Sequence, residues 1–152
     1  AIGCECEENL GTHHGTFHPN GQHIYLPSNE GKVYVINYCS MKVEHTIKSG
    51  KGSGHVKFVP TRDLAVITNH HDTFVSIVDT KLHTHIKDVE VSGESINDTI
   101  LQSHTSYLDK DENYFYAFAT DNGVFYKLDL ETLEVVDELY TGGTPKQGCI
   151  LE

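Results

Sequence analysis

An internal repeat narrows the fold more than any other feature of this sequence. Residues 14–21 read HGTFHPNG, residues 23–29 HIYLPSN and residues 33–37 VYVIN. A second set follows in the same order: HVKFVPTRD at 55–63, LAVITN at 64–69 and FVSIVD at 74–79. A third runs HTSYLDKDE at 104–112, YFYAFAT at 114–120 and VFYKLD at 124–129. Each set ends in one more β-prone stretch, at 43–47, 84–91 and 135–140. The period is about 41 to 49 residues, which is the length of one supersecondary unit of a repeat protein. Val, Ile, Thr, Tyr and Phe recur in these stretches and suit a pleated, half-buried surface. The Asn20-Gly21 pair marks a hairpin turn, and Asp121-Asn122-Gly123 marks another tight connection. Each unit therefore reads as four short strands, a to d, joined by turns.

The expected fold class is all-β: a β-propeller of four-stranded antiparallel blades, about three of them in this chain. The blades fall at approximately 13–54, 55–103 and 104–148, with 1–12 as an N-terminal extension or partial strand. The second unit resembles the YVTN repeat, with its GKGSGH lead-in at 50–55, Pro60 in the following turn, VITN at 66–69 and VSIVDT at 75–80. The first unit is similar and the third looser, so the resemblance covers about residues 13–149. It implies a propeller like those of surface-layer proteins, in a broad group that includes the propellers of cytochrome d1 and nitrous oxide reductase. Together with the four cysteines it implies a periplasmic or extracellular location. Such a motif speaks for fold and says little about function. Propellers close at four to eight blades, so three would leave two apolar faces open. The ring is expected to be completed by oligomerisation, two copies giving six blades, or by a longer parent chain. Residues 147–150 (QGCI) look like the opening of a fourth inner strand.

The repeat also places the histidines, of which there are 11. In a propeller the d-to-a and b-to-c connections share one face, and the a-to-b and c-to-d turns share the other. His13, His14, His55 and His104 stand at the starts of innermost strands. His70 and His71 stand in a b-to-c connection. These six are expected at one mouth of the central channel, as candidate metal ligands. Imidazole suits copper and zinc, and several from different blades could hold an ion with an open position. The arrangement is similar in kind to the histidine-held copper cluster of nitrous oxide reductase, although this chain supplies part of a ring. The alternative reading makes His14, His55 and His104 part of the repeat itself, ordering the connection by hydrogen bonds. His18 and His23 flank a turn on the opposite face. His45 lies on an outer strand, and His83 and His85 are expected to point to one side of another, a pair able to grip a metal or simply polar residues of an exposed strand.

Other chemistry is poorly represented. The chain carries 22 acidic against 11 basic residues, a formal charge of −11. Such a surface repels phosphate backbones, so no nucleic-acid partner is expected. No apolar run reaches the roughly 18–20 residues of a membrane span. The sequence begins at Ala1 with no leader-like segment, a start compatible with processing. No C-x-x-C-H occurs, so no c-type haem is expected. Cys4 and Cys6 form a C-x-C pair, with Cys39 and Cys149 distant, and two disulfides or a soft-metal clip both fit. GKGSG at 50–54 lacks the ending of a phosphate loop and reads as a flexible connection between blades. DKDE at 109–112 fails the spacing of a calcium loop and reads as a solvated turn. Asp79 and Asp129 are expected to cap the turns that follow them.

Three functions compete on these grounds. The first is a ligand-binding propeller whose His-rich mouth holds copper or zinc. The second is a non-catalytic module that recognises a protein or a surface polymer, as in surface layers. The third is a tetrapyrrole-binding propeller like that of cytochrome d1.

Overall fold

A computed structural model describes residues 12–91 and 101–145. Cys4, Cys6, Cys149 and the suggested fourth inner strand at 147–150 lie outside the described residues. The described chain forms three four-stranded antiparallel sheets, each a simple meander. The first holds β1 (Thr16–Phe17), β2 (His23–Ser28), β3 (Lys32–Asn37) and β4 (Lys42–Lys48). The second holds β5 (Ser53–Val59), β6 (Leu64–Asn69), β7 (Phe74–Asp79) and β8 (Thr84–Glu90). The third holds β9 (Gln102–Leu108), β10 (Tyr114–Ala119), β11 (Val124–Asp129) and β12 (Glu134–Tyr140). These are blades 1, 2 and 3. Their inner strands converge, β2 against β5, and β5 and β6 against β9. The only helix among the described residues is a 3-10 turn at Pro60–Arg62.

Two apolar layers hold the blades together, and period-two alternation explains both. Tyr25, Val33, Val35 and Ile47 of blade 1 pack against Val56, Ala65, Ile67 and Val78 of blade 2. The opposite face of blade 2, with Val66, Val75, Ile77 and Val89, packs against Phe115, Ala117, Tyr126 and Leu128 of blade 3. Blade 2 is thus buried on both faces, which is why LAVITN reads as a continuous apolar run while β10 alternates cleanly.

The turns repeat as the strands do. The side-chain oxygens of Asn37, Asp79 and Asp129 each accept two backbone N–H bonds in the c-to-d turn, from Cys39 and Ser40, Lys81 and Leu82, and Glu131 and Thr132. The expected caps at Asp79 and Asp129 are therefore present. The fourth residue of each turn, Met41, His83 and Leu133, takes a left-handed conformation with φ of 55°, 55° and 57°. A bulge follows in every c–d pair, at Val35/Ile36, Ile77/Val78 and Lys127/Leu128.

Three expectations need revision. The GKGSG stretch is a packed junction and not a loose connector, since Gly50, Gly52 and Gly54 are all buried. The DKDE turn is a strap between blades. Glu112 accepts from the Thr61 backbone N–H at 3.0 Å and the Thr61 hydroxyl at 2.5 Å, and Arg62 donates to the Glu112 carbonyl. His83 and His85 do not share a strand face. His83 sits in the turn before β8 and its left-handed backbone swings the ring into the blade 1–2 interface, while His85 stays outside with Asp88 at 2.8 Å.

Candidate metal centre

Five of the six histidines expected at the channel mouth come together. His13 and His14 arrive on the short segment before β1, His55 on β5, His70 just after β6, and His104 on β9. The His13 ring centroid lies 4.5 Å from His14, 5.1 Å from His55, 5.3 Å from His70 and 6.4 Å from His104. His55 and His70 are 5.2 Å apart, and His70 and His104 4.6 Å. His14 stacks on His55 at 5.0 Å. His71 faces elsewhere: it is exposed, its backbone N–H donates to the Lys51 carbonyl, and its ring lies against Gly52.

Within this group, ligand atoms of His13, His55 and His70 all lie within 4.8 Å of one another. A tetrahedral ion at the usual zinc–nitrogen distance holds its donors roughly 3.3 Å apart, so a small inward movement of the rings would suffice. Hydrogen bonds already aim two of the three. His13 Nδ1 donates to the Gly54 carbonyl at 2.9 Å, and His70 Nδ1 donates to the Gln102 carbonyl at 3.0 Å. Each bond fixes the tautomer that leaves Nε2 with a free lone pair, the arrangement that backbone carbonyls give to metal-binding imidazoles. His70 is 4% exposed and its Nε2 is buried without a hydrogen-bond partner. Leaving a buried polar atom unpaired costs about 1–3 kcal/mol, and a bound ion would remove that cost. His55 Nε2 and His104 Nδ1 stand 3.1 Å apart, so one of them donates to the other.

The electrostatics favour neutral rings. Burial first, then the neighbouring imidazoles, lowers His55 to about 3. Burial likewise lowers His70 to about 4 against the bond to Gln102, and it lowers His13 against the bond to Gly54. The lone pairs are therefore free of protons at neutral pH. No carboxylate joins the three-imidazole group among the described residues.

Two residues that build this site escaped the sequence reading. Gly54 gives His70 its place, since a Cβ there would come 2.1 Å from His70 Nε2. Gln102 is buried and clamps the connection that carries His70. Its Oε1 accepts from the Asn69 N–H at 3.0 Å, and its Nε2 donates to the Asp72 and Phe74 carbonyls at 2.8 and 2.6 Å. The glycine-rich lead-in was a legible signal for the first. A lone Gln gave none for the second.

Structures already solved place this architecture. Hydrazine synthase of Kuenenia stuttgartiensis matches with a TM-score of 0.74 at 18% identity, over 94% of this chain and 40% of that one. The dihydro-heme d1 dehydrogenase NirN, in complex with DHE, matches at 0.68 and 18%, over 86% and 28%. Apo AztD from Citrobacter koseri matches at 0.65 and 13%, over 82% and 33%.

The fold is that of a partial β-propeller.

At such identities the likeness speaks for the propeller fold alone. The segment spans between 28% and 40% of the length of these three solved chains. No protein-family model matches the sequence, and no curated protein does so.

Proposed function

We propose that this chain is a ligand-binding propeller segment of the YVTN type whose channel mouth binds a transition metal, copper or zinc. The observation that carries this reading is the buried, partnerless Nε2 of His70, set among the imidazoles of His13 and His55. Three neutral nitrogen donors suit copper and zinc better than hard cations such as magnesium or calcium, which take oxygen. Three protein ligands leave a fourth position open, for water, a small ligand, or His14 or His104 from the rim. The same openness suits exchange of the ion with another carrier as well as chemistry on it. The cysteines and the resemblance to secreted propellers favour a periplasmic or extracellular setting.

The test is elemental analysis of the purified protein, followed by titration with Zn(II) and Cu(II) after chelation. One equivalent per chain is expected, lost in a His55→Ala/His70→Ala double variant and retained in His71→Ala. Unchanged binding in the double variant would reject the reading. It would leave recognition of a protein or surface polymer as the better account.

A further inference from the structure

The two interfaces inside the chain follow one rule, and each end of the wedge carries half of a third. At both interfaces the left-handed residue of a c-to-d turn leans onto the blade before it. His83 of blade 2 meets Tyr25, His23 and His45 of blade 1. Leu133 of blade 3 packs against the core shared with blade 2, and its carbonyl accepts from Lys87 Nζ at 3.1 Å. Met41 holds the same position in blade 1, with the same φ, and is 77% exposed.

The receiving faces correspond as well. Strand positions pair Tyr25, Val33, Val35 and Ile47 of blade 1 with Val66, Val75, Ile77 and Val89 of blade 2. Both sets are buried under the next blade. The same positions in blade 3 are Tyr116, Phe125, Lys127 and Leu139, and they line an open pocket of about 410 Å³ together with Asp137 and Glu138. Tyr116 and Phe125 stack there at 5.8 Å, and Leu139 is 63% exposed.

We propose that this face of blade 3 seats blade 1 of a second copy of the chain, with Met41 filling the pocket. Charge at one register position supports that occupant. The rings of His45 and the incoming His83 lie 4.7 Å apart, and Lys87 bonds the incoming Leu133. The blade 3 counterpart is Asp137, and the residue after Met41 is Lys42, where blades 2 and 3 have Thr84 and Glu134. Seated in the same way, Met41 would bring Lys42 next to Asp137, a cation beside an anion. Ile24, Leu26 and Tyr34 of blade 1, half-buried on the side away from blade 2, supply the rest of the contact. Two copies joined head to tail at two such contacts make six blades, within the range that closes.

Sedimentation of the chain over a range of concentrations tests this. A dimer is expected. Asp137→Lys and Lys42→Glu each place like charges at both contacts and should weaken it by at least about tenfold. An equimolar mixture of the two variants restores opposite charges at both contacts and should recover a dimer. Met41→Arg should dissociate it without rescue. A monomer at every concentration, a dimer indifferent to all three substitutions, or failure of the mixture to reassociate would each overturn the proposal.

Discussion

Two groups of histidines stand at opposite ends of the strands, and they are built to different ends. At the channel mouth, His13 and His70 spend one nitrogen on a backbone carbonyl and keep the other free. At the far end, between blades 1 and 2, His18, His23, His45 and His83 crowd just as closely, with centroids 4.7–6.2 Å apart. There both nitrogens of His18 and His23 and one of His83 are engaged within the protein. His18 accepts from the Asn20 N–H at 2.9 Å and donates to the Thr80 carbonyl at 2.8 Å. His23 accepts from the Asn20 amide at 2.9 Å and donates to Glu44 at 2.7 Å. His83 Nδ1 bonds the hydroxyl of buried Tyr25 at 2.7 Å. Crowding alone therefore does not make a metal site. What distinguishes the mouth is the convergence of three ligand atoms within 4.8 Å of one another, with the buried Nε2 of His70 left without a partner.

The largest expected effect breaks that contrast directly. Replacing His55 or His70 by Ala should abolish metal retention in elemental analysis. Replacing His18, His23 or His83 should leave it unchanged. Retention that fell equally in both groups would erase the distinction.

Gly54→Ala comes next. Its Cβ would press on His70 Nε2, so metal binding should be lost and thermal stability reduced. Gly21→Ala, at φ +69° but in open space, should lower stability slightly through backbone strain and keep the metal.

Gln102→Leu removes three hydrogen bonds behind His70 without touching the ion. It should weaken metal affinity by about 10- to 100-fold, measured by competition with a chelator. At the far end, Tyr25→Phe should cost about 1 kcal/mol in urea denaturation with affinity intact.

The smallest effect concerns pH. His55 is lowered to about 3, and His70 and His83 to about 4, chiefly by burial. Their folded values lie below the unfolded value near 6.5, so the unfolded chain binds more protons between the two. The metal-free protein should thus keep full stability above pH 6.5 and lose it progressively toward pH 4. His83→Leu, which copies Leu133 at the equivalent turn, should shallow that loss while leaving the mouth's share in place. Denaturation midpoints at pH 7, 5.5 and 4.5 would show it.

Much of this molecule was legible in one dimension. Runs such as FVSIVD and VFYKLD, spaced by turn residues, demanded strands of about six residues. Three copies of the pattern demanded three alike sheets. The capping role of Asp79 and Asp129 followed from their place at strand ends. Repeat position placed six histidines at one end of the sheets, and five of them, His13, His14, His55, His70 and His104, do cluster there, while His71 turns its ring toward Gly52 instead.

Tertiary structure decided the rest. Whether a given imidazole nitrogen is free depends on a carbonyl from another blade, as Gly54 O does for His13 and Gln102 O for His70. A left-handed residue chose the interface for His83 and the exterior for His85. A missing Cβ at Gly54 let His70 approach. Hydrogen bonding and close packing act over tenths of an ångström among residues far apart in the chain, and sequence spacing carries no record of that.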